Sequence, residues 1–263
     1  MSRLLIILLT LASISSLLGQ DTLSHQEKNI LFQRGLSAQK KGEFAPSNQY
    51  FKQAKKQLKA SKAWDVYLEA QNQIARNCWK MEKLDSASLV CQSIATSPHL
   101  KKGSLIEATL FNNIGVIHDI RAEYKEALNN FHQSLEIRKE KLGDDHIETE
   151  KLYYNIGACY ELQSQFNASL EYRKKALRNF KKNLSPNHPF FLAVYKGMMN
   201  TYFFLEKYEE VIAYIETALS IAKKIYPANH PRIGYFYRQL GIAKTKIPSS
   251  KKEGIQLVKK GLI

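Results

Sequence analysis

The sequence predicts an all-α solenoid, and three observations support this fold class. Small or compact residues recur every 40 to 42 positions along the chain. Around them, apolar residues follow the spacing of three and four that places side chains on one face of a helix. No segment has the alternating pattern of a strand. A repeat of this length is typical of stacked helical hairpins. The recurring positions are Gly35, Ala75, Gly115, Gly157, Met199 and Gly241.

The first element, residues 1–19, is predicted to be a secretory signal. Arg3 supplies a short positive region, an apolar stretch runs from Leu4 to Leu18, and Gly19 is a small residue at the expected cleavage site. The protein is therefore expected to be exported, to a periplasm or to the cell exterior. The alternative is an uncleaved signal anchor that tethers it to a membrane, although the apolar run is short for a span. After cleavage we expect no membrane span.

The rest of the chain, residues 20–263, is predicted to be the solenoid, made of six helix pairs. In the first five pairs, the first helix contains the recurring position, and an aromatic or apolar residue nine positions later begins the second helix. The small residue lets the two helices approach closely. The expected limits of the pairs are about 25–64, 65–103, 107–148, 149–190, 191–232 and 233–263.

Some positions depart from the pattern. Met199 stands where glycine is usual, and Arg173 stands where an apolar residue is expected. The last pair carries an insertion near Pro248 and stops at Ile263, inside its second helix. We expect these departures to alter local packing and not the fold. Because a solenoid normally closes with a polar capping helix, the ending favours an alternative: a fragment of a longer protein.

Composition limits the function. The chain has 263 residues, of which 44% are hydrophobic, enough for a folded core. Its formal net charge is +15, but the lysines are dispersed and not clustered. Dispersed lysines favour a solvated basic surface, so we expect no nucleic-acid ligand. The alternative, binding of RNA or DNA, predicts an affinity that falls steeply with salt.

The cysteines are expected to be buried hydrophobic residues. Cys78, Cys91 and Cys159 fall at packing positions of the repeat and lack the CxxC spacing of a metal or redox motif. Cys78 and Cys91 belong to the two helices of one pair. A disulfide between them is an alternative that an oxidising compartment would permit.

The histidines do not predict a metal site. His146, His188 and His230 occupy one position of the repeat, so they lie about one repeat apart and indicate a role in the fold. No nucleophile and base are arranged for catalysis, and no glycine-rich loop could hold a phosphate. We therefore predict no enzyme activity, no catalytic residues, no metal and no cofactor.

The pattern resembles the tetratricopeptide repeat, and its 42-residue period resembles that of kinesin light chains. The likeness covers about residues 25–263. The loops strengthen it, because Asn187-His188-Pro189 and Asn229-His230-Pro231 place proline in the first turn of a helix. The resemblance implies a right-handed α-α superhelix of about six helix pairs with a concave groove. It also implies a non-enzymatic scaffold for protein–protein interaction. The alternative is the sensor or scaffold part of a longer signalling or peptidase protein whose output domain is missing.

A series of carboxamides lies two residues before the small position of the first helices. A carboxamide both donates and accepts, so such a ladder can bind the backbone of an extended peptide. The resemblance implies the same role, since asparagine here contacts ligand backbone in related peptide-binding domains. The alternative is that these amides bridge neighbouring first helices. The members are Gln33, Gln73, Asn113, Asn155 and Gln239.

Basic, amide and aromatic residues flank this ladder and are the remaining candidate peptide-binding residues. Their positive charge favours an acidic segment of a protein or peptide ligand. Lys196 and Asn200 also match one step of the clamp with which chaperone-binding relatives hold a terminal carboxylate. The identity of the partner and the oligomeric state stay open. The flanking residues are Asn72, Arg76, Asn112, Lys151, Tyr154, Lys196, Asn200 and Arg238.

Overall fold

The structure is a computed structural model that describes residues 30–261, so the predicted signal at residues 1–19 lies outside the described residues. Over the described range the chain forms twelve α-helices, one short 3₁₀ turn and no strand. This confirms the predicted all-α fold of repeated helices. The helices are α1 Ile30–Lys40, α2 Phe44–Ala60, α3 Trp64–Lys80, α4 Leu84–Ala95, α5 Leu105–Ile120, α6 Tyr124–Leu142, α7 Ile147–Leu162, α8 Phe166–Asn183, α9 Phe190–Phe204, α10 Tyr208–Ile225, α11 Pro231–Thr245 and α12 Lys251–Lys260.

These helices belong to two compact units. The described part of unit 1, up to Leu142, holds α1 to α6, and unit 2, from Gly143, holds α7 to α12. Within each unit, odd-numbered first helices alternate with even-numbered second helices, and each first helix packs against the second helix that follows it. No helix in residues 30–261 combines the length and the apolar character that a membrane span needs.

The recurring small residues lie where the two helices of a pair approach most closely. A Cβ atom added at Gly35 would lie 2.7 Å from the ring of Phe51, and one added at Gly115 would lie 2.7 Å from the ring of Phe131. Both rings are buried in the core. A larger residue at Gly35 or Gly115 would have to displace these rings, which explains why a small residue recurs at this position in most repeats.

The turn from the first to the second helix has the same backbone in five pairs. One residue of each turn has a positive φ, between 56° and 80°. The amide of the next residue donates to a carbonyl five positions earlier, as from Glu123 to His118 at 2.9 Å and from Lys207 to Tyr202 at 3.0 Å. Such bonds satisfy carbonyl groups at the end of a helix. The positive-φ residues are Gly42, Glu82, Ala122, Ser164 and Glu206.

The repeated histidines hold the starts of the first helices of unit 2. The Nδ1 atoms of His146, His188 and His230 each accept a hydrogen bond, at 3.2 Å, from the backbone amide two residues later. An acceptor at this place satisfies an amide that has no partner inside the helix. The three cysteines are buried free thiols.

Candidate peptide-binding site

In unit 1, Asn113 of the amide series bridges neighbouring first helices. Asn113 is almost fully buried, and its Nδ2 atom donates to the carbonyl oxygen of Asn72 at 3.1 Å and to the Oδ1 atom of Asn72 at 3.3 Å. The indole of Trp79 donates to the Oδ1 atom of Asn113 at 3.3 Å. Asn72 in turn donates to the carbonyl oxygen of Ile106 at 3.0 Å. The donor and acceptor atoms of Asn113 are therefore used between α3 and α5, as the bridging alternative describes.

Gln73 is also engaged inside unit 1. Its Nε2 atom donates to the Oε1 atom of Glu69 at 2.6 Å. Burial raises the pKa of the Glu69 carboxyl, while the hydrogen bond from Gln73 and the charges of Arg138 and Arg76 oppose that rise. The Gln73 amide and the Glu69 carboxyl are thus hydrogen-bonded to each other on one face of α3. Arg76 is exposed, and Gln33 and Asn112 are half-buried.

In unit 2 the candidate cations face solvent. Lys196 on α9 and Arg238 on α11 are exposed, and Lys151 on α7 is half-buried. The ammonium group of Lys196 lies 5.4 Å from the ring centroid of Tyr235, so this contact joins consecutive first helices. Lys151 pairs with Glu148 in its own helix, at 2.5 Å. The polar candidates Asn155, Asn200 and Gln239 are half-buried beside these cations.

Tyr154 contacts both the next first helix of unit 2 and the charged cluster formed by Arg173 and Glu161. Its ring is half-buried and lies 6.2 Å from that of Phe190 at 65°, an edge contact. The guanidinium carbon of Arg173 lies 5.5 Å from the Tyr154 ring centroid. A cation near an aromatic face is attracted by the ring quadrupole. Tyr154 is thus held by the apolar ring on α9 and by the charge from α8.

Arg173, one of the departures from the repeat, contacts Gly197, the one position of the amide series that lacks a carboxamide. A Cβ atom added at Gly197 would lie 1.7 Å from Nη1 of Arg173, so the guanidinium fills the space of the missing side chain. Arg173 Nη2 donates to Glu161 Oε2 at 3.0 Å, and its Nε donates to Ser169 Oγ at 3.1 Å. The hydroxyl of Thr201 also donates to Glu161. This ion pair, with side chains 3% and 15% exposed, ties α7, α8 and α9 together.

Sequence reasoning missed this cluster as part of the site. It treated position 197 as a gap in the amide ladder and position 173 as a packing departure. The useful signal was their coincidence, because a missing side chain in one repeat leaves room for a long one from the repeat before it.

Residues 106–182 and 200–225 each match a family model of the tetratricopeptide repeat. The chain contains tetratricopeptide repeats. No curated protein sequence matches it significantly.

Several solved structures share the fold at low sequence identity. BtubC (BKLC) from P. vanneervenii is 12% identical with a TM-score of 0.70, over 83% of this chain and 89% of that one. A candidate kinesin light chain from Podosopora anserina with nearly identical TPR-like repeats is 16% identical with a TM-score of 0.63, over 74% and 94%. PilF from Pseudomonas aeruginosa is 16% identical with a TM-score of 0.60, over 90% and 93%.

These matches establish the fold, which is generally a non-catalytic scaffold for protein–protein interaction. They do not favour the sensor-fragment alternative. In the described residues 30–261, no three His, Cys, Asp or Glu side chains are grouped to hold a metal ion. Unit 2 presents ammonium, guanidinium and carboxamide groups, which can bind carboxylates and peptide backbone.

Proposed function

We propose that this chain is a non-enzymatic scaffold that binds an extended acidic segment of a partner protein along the first helices of unit 2. The observation that carries the proposal is that two consecutive first helices each present an exposed cation and a half-buried amide. Lys196 and Asn200 lie on α9, and Arg238 and Gln239 lie on α11. The cations would bind carboxylates of the ligand, and the amides would pair with its backbone.

The contacts of unit 2 support a preformed surface. The Arg173–Glu161 pair links the helix that carries Lys151, Tyr154 and Asn155 to the helix that carries Lys196. A surface held in place loses less conformational entropy on binding. In unit 1, Asn113 bonds to the backbone and side chain of Asn72, and Gln73 bonds to Glu69. The proposal therefore assigns the ligand to unit 2.

We also propose that the protein acts outside the cytoplasm, in a periplasm or at the cell exterior. The support is the sequence of residues 1–19, with its positive start and apolar stretch. Expression of the full chain followed by amino-terminal sequencing of the exported form tests this. We expect the mature chain to begin at Gln20, whereas recovery of the intact chain in a membrane fraction would indicate an uncleaved anchor.

The binding test uses a short, fluorescein-labelled, glutamate-rich peptide and fluorescence anisotropy at low salt. We expect the double variant Lys196→Ala/Arg238→Ala to weaken binding about tenfold, because two charge-assisted contacts are lost. The matched control is Lys181→Ala, an exposed lysine on the second helix α8. The control should bind like the unaltered protein.

Two results would overturn the proposal. Equal losses in the double variant and in Lys181→Ala would show that only overall charge attracts the peptide. Displacement of the peptide by a single-stranded oligonucleotide of similar charge would indicate an unselective anion surface. Circular dichroism melting of each variant establishes that the folded state is being compared.

A further inference from the structure

A second surface of unit 2 lies at the turns between its first and second helices. Phe204 is 60% exposed and Leu162 is 55% exposed. The ring of Phe166 stacks on Phe204, with centroids 5.0 Å apart and 10° between the planes. Leu205 and Phe166 line a shallow surface cavity between the two turns. We call Leu162, Phe166, Phe204 and Leu205 the turn-edge patch.

The repeat does not require these apolar residues. At the same two positions, the other repeats each carry at least one charged or polar side chain. Backbone hydrogen bonds, such as the one from Lys207 to Tyr202, close the turn, so the side chains of Phe204 and Leu205 are not needed for it. An exposed phenylalanine beside a half-buried leucine, neither of which the turn requires, is typical of an interaction site. The corresponding pairs are Lys40-Lys41, Lys80-Met81, Ile120-Arg121, Leu162-Gln163 and Lys246-Ile247.

The charge beside the patch is opposite to that of the whole chain. Glu206 follows Leu205 directly, and Glu209 and Glu210 lie in the first turn of α10. All three carboxylates are exposed, and none forms an ion pair within residues 30–261. Lys207 is the single basic residue in this stretch. A local acidic rim thus borders the apolar patch in a chain whose net charge is +15.

We infer that the turn-edge patch is a docking surface for a basic amphipathic segment of a partner protein. The stacked Phe166 and Phe204 rings supply the apolar contact, and the three carboxylates complement lysine or arginine beside it. A second copy of this chain bound through the same patch fits less well, since it would bring two acidic rims together. None of Lys196, Asn200, Arg238 and Gln239 belongs to the turn-edge patch, so the inference does not depend on the proposed function.

The test uses a fluorescein-labelled amphipathic peptide made of leucine and lysine, with a leucine and glutamate peptide of the same pattern as its counterpart. We expect Phe204→Ser to weaken binding of the lysine peptide about tenfold or more, as for a central aromatic contact. It should leave the glutamate peptide unaffected. The matched control is Leu89→Ser, which removes a side chain 67% exposed on α4 of unit 1.

Charge reversal gives a second readout. The variant Glu206→Lys/Glu209→Lys/Glu210→Lys should lose the lysine peptide, and this loss should shrink as salt is raised. Lys196→Ala/Arg238→Ala should not change binding of the lysine peptide. The inference and the proposed function can therefore fail independently of each other.

Three results would overturn the inference. The first is equal affinity for the lysine peptide in Phe204→Ser and Leu89→Ser. The second is unchanged binding after charge reversal. The third is a dimer in sedimentation analysis that Phe204→Ser dissociates, because the patch would then bind a second copy. Melting curves of the Phe204→Ser variant, whose altered side chain is mostly exposed, establish that it is folded.

Discussion

Arg173 occupies the position at which Phe51 and Phe131 pack over the small residue of the first helix in other repeats. An arginine is accepted there because Glu161 neutralises it and Gly197 leaves space for its guanidinium. Desolvation of two charges offsets much of their attraction, so such a pair adds little net stability. Removing one partner, however, leaves the other charge without compensation.

We therefore expect Arg173→Met to lower the free energy of unfolding by about 3 kcal/mol, because the mostly buried Glu161 carboxylate loses the cation that neutralises it. The double variant Arg173→Met/Glu161→Met should recover most of this loss. Urea denaturation followed by circular dichroism measures both. The control is Arg178→Met, an exposed arginine on the same helix. Equal destabilisation in the single and double variants would show that packing, and not charge pairing, is the role of Arg173.

Glu150 predicts a dependence of stability on pH. The residue is fully buried at the start of α7, and Asn183 donates to its Oε1 atom at 2.5 Å. Burial raises the pKa of its carboxyl above the ordinary 4.5, the charge of Asp145 adds to the rise, and the bond from Asn183 opposes it. The folded protein therefore holds this proton at a pH where the unfolded chain has released it. Its contribution to stability is fully present below the unfolded pKa and is lost as pH rises through the folded pKa.

Glu150→Gln removes this titration and retains an oxygen that accepts from Asn183. We expect the variant to gain stability relative to the unaltered protein as pH rises from about 4.5 to about 7.5. Urea denaturation at several pH values measures the difference, with Glu216→Gln, an exposed glutamate on α10, as control. A difference that stays constant over this range would contradict the assignment.

At the scale of the element, the helix–turn–helix hairpin depends on one left-handed residue. Glycine fills that place at Gly42, with φ of 80°, but alanine fills it at Ala122, with φ of 61°. A residue with a Cβ atom is strained in this conformation, by roughly 1–2 kcal/mol. The repeat tolerates the strain because packing of the two helices outweighs it.

Ala122→Gly should raise the free energy of unfolding by about 0.5–1 kcal/mol, since relief of strain exceeds the added chain entropy. Gly42→Ala should lower it by a similar amount. A control of opposite sign is Ala213→Gly, at an exposed position inside α10, which should cost about 1 kcal/mol. Thermal melting or urea denaturation measures all three, and a stability loss in Ala122→Gly would refute the strain argument.

At the scale of the whole chain, helical pairing could be predicted because it depends on spacing that is local in the sequence. Gly35 and Gly115 mark close approaches to residues of the next helix, only one hairpin away. The fate of the amides could not be predicted in the same way. Asn113 forms hydrogen bonds with Asn72 and Trp79, which belong to the preceding first helix. The outcome depends on how neighbouring repeats rotate against each other.

The Arg173–Gly197 pairing shows the same limit. A single-repeat pattern has no place for a side chain that crosses from one repeat into the next, so each residue looks like a separate exception. Stacked repeats interact mainly with their neighbours, and the missing information is in those neighbour contacts. The exposed cations Lys196 and Arg238, in contrast, lie where the register predicts first-helix surface residues.

The shared turn geometry has a consequence for how such a chain can acquire partners. Since main-chain hydrogen bonds define the bend, the side chains of the two residues that precede the left-handed residue are not needed to form it. We therefore expect each of the five hairpins with this turn to accept a new binding edge by two substitutions, without a change in its fold. The substitutions Lys80→Phe and Met81→Leu, which copy Phe204 and Leu205, would place such a binding edge on unit 1.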